Sequence, residues 1–341
     1  MQCFLILAMF SFFYDVISKV NYIVFIDDWR NFELSKVKIL ITGGAGFIPS
    51  SLADSLINLG YEVVLMDNLV TGRLENIPED SNCSFYNIDI NNIDAIEPVM
   101  MENNFDFVFH YASLVGVQRT LDNPIKVLND IDGLKNVFHL SQLTGVKKIF
   151  YSSSSEVYGE PVHLPQNEYT TPLNSKLPYA VVKNIGECFC RSYHQEYGLD
   201  YTIFRFFNTY GEKQSADFVV SRFINQALSN EDITINGDGS QTRTFCYIND
   251  NLDATINALQ NNIYNNDVVN IGNDNEITII QLAEKIKDII GSKSRIIHRD
   301  PLEEGDMTRR QPDVSRMKKL LNRDFIELSD GLNTVINSFK Q

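Results

Sequence analysis

A glycine-rich turn between an apolar run and an amphipathic helix most restricts the fold of this chain. Val37–Thr42 is apolar and β-branched, Gly43 and Gly46 follow, and a helical pattern continues to Leu59. The next apolar run, Tyr61–Asp67, ends in an acidic residue about 20 residues after the glycines. Such a turn lets a phosphate approach the backbone N–H groups at the helix N-terminus. The pattern therefore predicts a strand, a turn and a helix that bind a dinucleotide.

Pro49 stands where the three-glycine form of this turn has its third glycine. Proline is tolerated in the first turn of a helix, because the N–H groups there have no partner within the helix. We expect the helix to form, with a slight displacement and weaker retention of a dinucleotide. Gly43 and Gly46 are predicted to be the positions that require glycine.

Apolar runs and helical patterns alternate through the first two thirds of the chain. Further predicted strands lie at 84–88, 105–110, 146–152 and 201–206, and predicted helices at 51–59, 93–101, 124–143 and 179–197. This alternation predicts an α/β fold with a Rossmann-type doubly wound parallel sheet. After residue 210 the pattern is irregular, with short strands at 233–235 and 268–271 and helices at 218–228 and 279–290. We predict an N-terminal extension at 1–36, a dinucleotide-binding domain at 37–210 and a smaller mixed α/β substrate lobe at 211–341, with some segments that cross.

Charge and cysteine usage limit the partners. A net charge of −15 argues against binding to nucleic acid or to an anionic membrane. The five scattered cysteines indicate reduced thiols and a cytoplasmic protein, and we predict no metal site. The apolar residues 1–13 lack the basic region of a signal peptide and the length of a membrane span, so we interpret them as a packed helix. A mis-assigned start or an interfacial membrane segment is the alternative.

Two polar clusters follow the predicted strands. Asp67 can accept the adenosine ribose hydroxyls and would repel a 2′-phosphate, which favours NAD over NADP, although Arg73 is a counter-signal. A flavodoxin-like fold without a dinucleotide is the alternative.

Tyr179 and Lys183 lie four residues apart on one helix face. There the ammonium group of Lys183 favours the phenolate of Tyr179, which can then act as a proton acceptor. An ordinary buried tyrosine and a surface lysine would give the same spacing. The serine run at 152–155 makes a site more plausible, because ligands bind beyond the carboxyl ends of parallel strands.

Several motifs in order resemble the extended short-chain dehydrogenase/reductase family, in its nucleotide-sugar epimerase, dehydratase and decarboxylase branch. The motifs are TGGAGFI at 42–48, DN at 67–68, HYAS at 110–113, SSSSEVYG at 152–159, Tyr179-x-x-x-Lys183 and FNTYG at 207–211. The resemblance extends from Val37 to the C-terminus.

This resemblance implies that bound NAD oxidises C4 of a nucleotide sugar and that the hydride usually returns. Tyr179 would be the base at the C4 hydroxyl, Lys183 its electrostatic partner and a ribose ligand, and Ser154 a hydroxyl that bridges O4 and the phenol. The implied cofactor-binding residues are Gly43, Gly46, Phe47, Ile48, Asp67, Asn68, Asp89, Ile90, Tyr111, Ala112, Ser113, Ser152, Tyr179 and Lys183. The implied substrate-binding residues are Arg119, Asn208, Arg222, Arg243 and Arg309. A homodimer through the helices at 124–143 and 179–197 is also implied.

The reaction depends on the turn after the serine run. The related 4,6-dehydratases carry Thr-Asp-Glu where this chain has Ser154, Ser155 and Glu156, so dehydration lacks its acid. Glu156 resembles the decarboxylases, but they carry an arginine before the tyrosine where this chain has Lys176 in an epimerase-like approach. C4 epimerisation of a UDP-hexose or UDP-hexuronate therefore ranks first and UDP-glucuronate decarboxylation second. Dehydration, C3/C5 epimerisation and a non-catalytic nucleotide-sensing protein remain alternatives. A further departure from the family is Asp130, where an asparagine is usual.

Overall fold

The computed structural model describes residues 36–301 and 307–340, so all but the last residue of the predicted N-terminal extension lies outside the described residues. The strands are β1 (Lys38–Thr42), β2 (Glu62–Asp67), β3 (Cys83–Asn87), β4 (Phe107–His110), β5 (Lys148–Ser154), β6 (Asp200–Phe206), β7 (Thr209–Tyr210), β8 (Ile233–Asn236), β9 (Thr242–Thr244), β10 (Cys246–Tyr247), β11 (Asp267–Ile271), β12 (Glu276–Thr278) and β13 (Ile296–Arg299). The α-helices are α1 (Phe47–Asn58), α2 (Ile93–Asn103), α3 (Val117–Asp122), α4 (Pro124–Thr144), α5 (Pro178–Tyr197), α6 (Val219–Leu228), α7 (Ile248–Gln260), α8 (Ile279–Ile290), α9 (Ser315–Leu321) and α10 (Leu328–Ser338). Across these ranges no helix combines the length and apolar character that crossing a membrane requires.

Seven parallel strands form the central sheet in the order β3-β2-β1-β4-β5-β6-β11. The order reverses between β1 and β4, which opens a crevice at their carboxyl ends where ligands bind in sheets of this kind. The predicted Rossmann-type fold is therefore confirmed. The strand at 268–271 differs from expectation, because it pairs with β6 as the seventh strand of this sheet instead of joining the small strands of the C-terminal region. The proposed division at residue 210 remains a prediction.

Stacked aromatic rings join three central strands of the sheet. Phe109 on β4 stacks on Phe150 on β5 with ring centroids 4.4 Å apart, and Phe204 on β6 stacks on Phe150 at 6.0 Å. All three rings are buried. Aromatic side chains stacked across neighbouring strands add to the stability of a sheet beyond the area that they bury. These contacts fix the strands whose carboxyl ends carry the polar clusters.

Short strand pairs and helices make up most of the chain after β6. β8 pairs with β13, β9 pairs with β12 and β7 pairs with β10. The helix α8 has the bounds that the sequence predicts, because Thr278 and Gln281 form a capping box and Gly291 ends the helix in a left-handed conformation. Local signals at both ends define this element.

A buried ion pair connects β6 with α5 beneath the serine turn. Nε of Arg205 donates to Oε1 of Glu187 at 2.8 Å, and the guanidinium Nη2 donates to Oε2 at 2.8 Å. Ser153 donates to the same carboxylate at 2.7 Å, and Arg205 also donates to the hydroxyl of Tyr158 at 2.9 Å. Burial alone would raise the pKa of Glu187, but Arg205 holds that pKa below its usual value. The pair is therefore ionised in the folded protein at neutral pH.

Glu187→Ala is expected to destabilise the protein by about 3–5 kcal/mol, because it leaves the Arg205 charge buried without its partner. Arg191→Ala is the matched control, since Arg191 contacts the same carboxylate at 3.4 Å from a half-exposed position. Its cost should stay below about 1 kcal/mol. Urea unfolding of the two variants measures both losses in the free energy of unfolding. Equal losses would show that the buried bonds between Arg205 and Glu187 do not contribute more than the partly exposed contact of Arg191.

Candidate active site

The glycine-rich turn lies between the carboxyl ends of β1, β2 and β4. Gly43 has a φ of +73°, and a side-chain carbon at this position would stand 2.8 Å from the Ala112 Cα. A Cβ at Gly44 would meet the Leu65 Cβ at 2.6 Å, and the N–H groups of Gly43 and Gly44 both donate to the carbonyl of Met66. Gly43 and Gly44 thus require glycine for close packing.

Gly46 takes a different part in the turn. It is the N-cap of α1, with extended backbone, and its N–H donates to the Gly43 carbonyl at 2.9 Å. A Cβ here would lie 3.0 Å from that carbonyl oxygen and 3.3 Å from the Pro49 ring, which is tight but does not require a positive φ. Gly44, which was not among the predicted positions, is therefore the more closely packed glycine. A small side chain at position 46 would meet a milder steric constraint.

Pro49 is the third residue of α1 and is buried. The helix starts at Phe47, with Ile48 next, so the proline lies in the first turn and α1 begins four residues before the predicted start of the helix. The N–H that proline lacks has no partner within a helix at this position. The helix forms as predicted.

Asp67 ends β2 with its carboxylate held in place by backbone groups. Oδ2 accepts from the N–H of Ala45 at 3.1 Å, and Oδ1 accepts from the N–H of Leu69 at 2.7 Å. Burial raises the pKa of Asp67 and the two backbone bonds oppose that effect. A carboxylate fixed beside the glycine turn has lone pairs left to accept a ribose diol.

The neighbouring predicted adenosine residues lie together after β2 and β3. Asn68 donates through its side-chain amide to Oδ2 of Asp89 at 3.1 Å, and Ile90 beside Asp89 is buried. The amide of Asn136 on α4 donates to the Ile90 carbonyl at 2.9 Å. These contacts make one continuous edge of the crevice that runs from Asp67 to α4.

The loop after β4 closes the other side of the crevice. Oγ1 of Thr42 accepts from the N–H groups of Tyr111 and Ala112 at 3.1 and 3.2 Å, and it bonds with Nδ1 of His110 at 2.8 Å. Ser113 donates to the carboxylate of Asp130 at 2.9 Å. The cradle at Gly43, the free N-terminus of α1 and the Asp67 carboxylate together fit the phosphates and the adenosine ribose of a dinucleotide.

Ser152, Ser153 and Ser154, the first three of the four consecutive serines of β5 and its turn, each have a different partner. Ser152 accepts from Nζ of Lys183 at 3.3 Å, whereas Ser153 bonds to the buried Glu187. Ser154 caps the short 3-10 helix at 155–158 by accepting from the N–H of Glu156, and its hydroxyl also lowers the pKa of the Tyr179 phenol. Polar side chains at the end of a buried strand are thereby satisfied and aimed at α5.

Tyr179 and Lys183 lie one turn apart at the start of α5. Nζ of Lys183 is 5.7 Å from the centre of the Tyr179 ring, and Lys183 is 3% exposed. Burial lowers the pKa of Lys183 to about 8, while Asp130 opposes the shift. Burial and the Glu156 carboxylate raise the pKa of Tyr179, and the Ser154 bond and Arg310 lower it. Asp130 raises this pKa as well, so the four side chains with the largest effects on the phenol are Glu156, Ser154, Asp130 and Arg310, and the predicted Lys183 is not among them.

Arg310, and not the neighbouring Arg309 that the sequence predicts, lies in this cleft. Its guanidinium is 3.0 Å from Oε1 of Glu156 and 3.5 Å from the hydroxyl of Ser155, and Arg310 is buried. Nε of Arg310 and Oε2 of Glu156 are buried without a hydrogen-bond partner. Unsatisfied donors and acceptors in one buried pair are uncommon in folded proteins, and a polar ligand or a bound water would satisfy them.

Two of the predicted substrate arginines have protein partners instead. The side chain of Arg309 is half-exposed and pairs with Glu276 at 2.7 Å. Arg119 donates to the Val115 carbonyl at 2.7 Å and pairs with Asp217 at 2.5 Å. The structure thus does not bring Arg309 to the catalytic cluster, and it uses Arg119 to join the loop after β4 to the loop before α6.

The remaining predicted substrate residues lie in the C-terminal region. Asn208 donates to the Thr244 carbonyl at 3.0 Å, and Arg243 on β9 is buried with a bond to the Thr242 carbonyl at 2.7 Å. Nε of Arg222 on α6 is buried without a partner, and burial together with the nearby Arg299 lowers the pKa of Arg222. Two guanidinium groups that repel each other favour the binding of an anion.

The fold and the site are those of an extended short-chain dehydrogenase/reductase. Known proteins identify the family more closely. Residues 39–272 match the NAD dependent epimerase/dehydratase family. The chain belongs to this family, and the prediction of NAD as cofactor is confirmed.

Individual relatives include both epimerases and decarboxylases. UDP-glucuronic acid decarboxylase 1 of Danio rerio is 36% identical over 317 residues, which cover 91% of this chain and 74% of that protein. A putative UDP-glucose 4-epimerase of Methanocaldococcus jannaschii is 36% identical over 308 residues, which cover 89% and 98%. The structure of the Thermotoga maritima UDP-glucose 4-epimerase with UDP-glucose matches with a TM-score of 0.84 at 32% identity, over 89% of this chain and 98% of that one.

Pro49→Gly is expected to tighten NAD binding about fivefold, because it restores one N–H to the first turn of α1 and one hydrogen bond contributes about 1 kcal/mol. Calorimetric titration of the NAD-free protein measures the affinity. Pro98→Gly is the matched control, since Pro98 is exposed within α2 and away from the glycine turn. Equal NAD affinities in the unaltered protein, Pro49→Gly and Pro98→Gly would identify Pro49 as a neutral variation.

Proposed function

We propose that this protein is an NAD-dependent nucleotide-sugar C4 epimerase that acts by transient oxidation of C4, with a UDP-hexose or UDP-hexuronate as substrate. The observation that supports the proposal is the cluster of buried Ser154, partly buried Tyr179 and buried Lys183 beside the dinucleotide crevice. Ser154 lowers the pKa of the Tyr179 phenol, and Lys183 lies one turn further along the same helix face. A phenol, a hydroxyl and an ammonium group in this order suit removal of a proton from a secondary alcohol.

The residues divide the work of the oxidation. Tyr179 accepts the proton of the C4 hydroxyl, Ser154 positions that hydroxyl, and Lys183 favours the phenolate. NAD, when bound, accepts the hydride from C4 and contributes a positive ring that also favours the phenolate. The hydride would then return to C4 on the opposite face of the sugar while Tyr179 returns the proton to the C4 oxygen, which gives the C4 epimer.

Epimerisation ranks first because of the segment that leads into α5. Lys176, which stands where the decarboxylases carry an arginine, is exposed. A point charge in solvent is a poor substitute for a planar guanidinium that holds a carboxylate through two bonds. The putative UDP-glucose 4-epimerase of Methanocaldococcus jannaschii and the epimerase of Thermotoga maritima are relatives that are consistent with epimerisation.

Decarboxylation of a UDP-uronate is the second candidate, and Arg310 favours it. A buried guanidinium with an unsatisfied Nε, paired with Glu156, could hold a substrate carboxylate close to Tyr179. A 4-keto sugar with a carboxylate at C5 loses CO₂ readily, because the ketone accepts the electron pair. The decarboxylases among the relatives are consistent with this reading.

The nucleotide would be held in the C-terminal region. Asn208, Arg222 and Arg243 supply one amide and two cationic groups for a diphosphate, and Arg222 has a buried donor without a protein partner. We retain Arg119 and Arg309 only as groups that would need to leave Asp217 and Glu276 to contact a ligand.

We also propose a cytoplasmic homodimer formed through α4 and α5. Both helices carry exposed apolar side chains, among them Ile125 and Leu128 on α4 and Val181 on α5. Burial of such side chains favours association. The four cysteines of the described ranges are unpaired, as expected in a reducing compartment.

A panel of UDP-, dTDP-, GDP- and CDP-sugars, followed by NMR of the products, tests the proposed reaction. A C4 epimer with no loss of carbon is the expected outcome. Released CO₂ and a pentose product from UDP-glucuronate would select the second candidate. A stable 4-keto-6-deoxy product would contradict the interpretation of Ser155. Bound NAD without conversion of any sugar would favour a nucleotide-sensing protein.

Tyr179→Phe should lower turnover by about 10²–10⁴-fold, because it removes the proton acceptor and little else. NAD content, read from the absorbance of the purified protein, should be unchanged. Tyr193→Phe, the same change on the same helix, is the control and should retain normal turnover. Full activity in Tyr179→Phe would overturn the mechanism.

Arg310→Lys should reduce turnover at least tenfold, since lysine cannot satisfy Glu156 and Ser155 together in the buried cleft. Arg309→Lys should change turnover less than about twofold, because Arg309 is part of an exposed ion pair. Steady-state kinetics on the two adjacent variants gives a direct comparison. The reverse order of effects would return Arg309 to the substrate site.

A further inference from the structure

Tyr151 on β5 packs against α5 at Gly186. A Cβ at Gly186 would stand 2.1 Å from both Cζ and the hydroxyl oxygen of Tyr151, far closer than unbonded atoms approach each other. Both residues are buried, with Tyr151 2% exposed. Glycine weakens the interior of a helix, so a glycine at this position has its use in the space that it leaves for the ring. The strand and the helix therefore approach each other closely at this point.

The side chain of Tyr151 contacts Lys183 in two ways. Its hydroxyl donates to the backbone carbonyl of Lys183 at 3.3 Å, and its ring centre is 5.4 Å from Nζ of the same lysine. An ammonium group over the face of an aromatic ring at this distance is attracted by the ring, and the attraction is strongest where water is excluded. Lys183 is 3% exposed, so the ring takes the place of water on one side of its charge.

The other contacts of the Lys183 ammonium group lie toward the proposed reaction centre. Nζ donates to Oγ of Ser152 at 3.3 Å and is 5.7 Å from the centre of the Tyr179 ring. A lysine side chain is a flexible four-carbon stem, so groups on several sides are needed to hold its charge in one place. Tyr151 and Ser152 are adjacent on β5 and hold Nζ from the strand.

Tyr151 is itself fixed by the neighbouring strand. Its ring stacks with the imidazole of His110 on β4, with centroids 5.9 Å apart and an interplanar angle of 25°. Nδ1 of His110 in turn bonds with the hydroxyl of Thr42 on β1 at 2.8 Å. A ring packed between this imidazole and Gly186 has little freedom to move, because protein interiors are close-packed. It therefore gives a rigid support to a flexible side chain.

Two titratable groups besides the tyrosines influence Lys183 or respond to it. Burial lowers the pKa of Lys183 to about 8, and Asp130 on α4 opposes this effect. His110 is neutral, because burial and the charge of Lys183 lower its pKa to about 3. A substitution at position 151 changes neither group, so the response of Lys183 to such a substitution reports on the ring.

We propose that Tyr151 is a positioning residue whose ring supports the ammonium group of Lys183. Gly186 is the complementary position on α5, because it admits that ring. The ammonium group is thereby held beside Ser152 and Tyr179. This inference rests on the proposed role of Lys183 in the oxidation of C4, and Tyr151 acts on the reaction only through Lys183.

Tyr151→Leu should lower turnover about tenfold without a matching change in KM, since it removes a cation–π contact from a buried site. Tyr151→Phe keeps the ring and should stay within about threefold of normal turnover, because the Lys183 carbonyl still accepts from the helix N–H four residues further on. Tyr201→Leu is the matched control and should retain normal turnover. Tyr201 is a buried tyrosine of the same hydrophobic cluster on β6, and its ring contacts His194. Turnover is expressed per bound NAD, so that unfolded protein does not count.

A double-mutant cycle between positions 151 and 186 tests the contact itself. Gly186→Ala should lower turnover about tenfold, because the added methyl group displaces the Tyr151 ring from Lys183. In the Tyr151→Leu protein the same change should have less than about a twofold effect, since the ring that it displaces is already gone. Additive losses would contradict the proposal.

Titration of Lys183 tests the ring contact without any sugar substrate. The NAD-bound protein is labelled with carbon-13 at Cε of lysine, and the resonance that is missing from Lys183→Arg is assigned to Lys183. A ring-trifluorinated phenylalanine at position 151 keeps the shape of the ring but withdraws electrons from its face. Compared with phenylalanine at this position, it should lower the pKa of Lys183 by about half a pH unit. The same two residues at position 201 are the control and should give coincident titrations.

The outcomes separate this inference from the proposed reaction. Normal turnover in Tyr151→Leu would overturn the inference, as would an equal loss in Tyr151→Phe or in Tyr201→Leu. Coincident titrations with the fluorinated and unfluorinated rings at position 151 would also overturn it, and this comparison holds even where Tyr151→Leu does not fold. If Lys183 responds to fluorination but no nucleotide sugar is converted, the proposed reaction fails and the contact between Tyr151 and Lys183 stands.

Discussion

The buried pair of Arg205 and Glu187 is the constraint on which the active site depends. Glu187 lies one turn after Lys183 and two turns after Tyr179, so all three project from one face of α5. Its carboxylate also binds Ser153, between the serines that contact Lys183 and Tyr179. Because a buried charge without its partner is costly, the helix and the strand cannot separate or slide without a large loss of free energy. The same bonds that stabilise the fold thus set the distance between the serine turn and the tyrosine.

The network also extends to the edge of the sheet. Tyr158, which accepts from Arg205, donates to the side chain of Asn270 on β11 at 2.7 Å. The N–H of Asn270 donates in turn to Glu168, whose carbonyl accepts from Arg205 at 3.1 Å. The seventh strand therefore completes the hydrogen bonding beneath the site. Sequence periodicity could not assign β11 to this sheet, because a short apolar strand has the same pattern in a large or a small sheet and its partner β6 is about 60 residues away. The first six strands, each followed by a turn or helix signal, were predictable.

The site residues that the sequence predicted are those whose geometry is local. Tyr179 and Lys183 are related by one helical turn, and the serines follow directly from a strand. Arg310 is different, because adjacent residues of an extended segment point to opposite sides. A bridge between Gln166 and Pro312 determines which side faces the cleft, and this contact joins segments almost 150 residues apart. The local sequence pattern therefore could not predict which of Arg309 and Arg310 lies in the cleft.

In the proposed mechanism, the charge balance in the cleft makes the ionisation of Tyr179 depend on the cofactor. Burial raises the pKa of Tyr179, and the charges of Glu156 and Asp130 raise it further. Arg310 and Ser154 lower this pKa, but they offset only part of the increase. The surrounding protein groups alone therefore favour the neutral phenol. In the proposed mechanism the positive ring of oxidised NAD is the additional charge that favours the phenolate, and that charge disappears when NAD is reduced. The base is then strongest when the cofactor can accept a hydride, and the phenol is the better acid when the hydride must return. A site with more net positive charge from its own side chains would lose this alternation, which gives the carboxylates of Glu156 and Asp130 a physical reason to stand beside the catalytic helix.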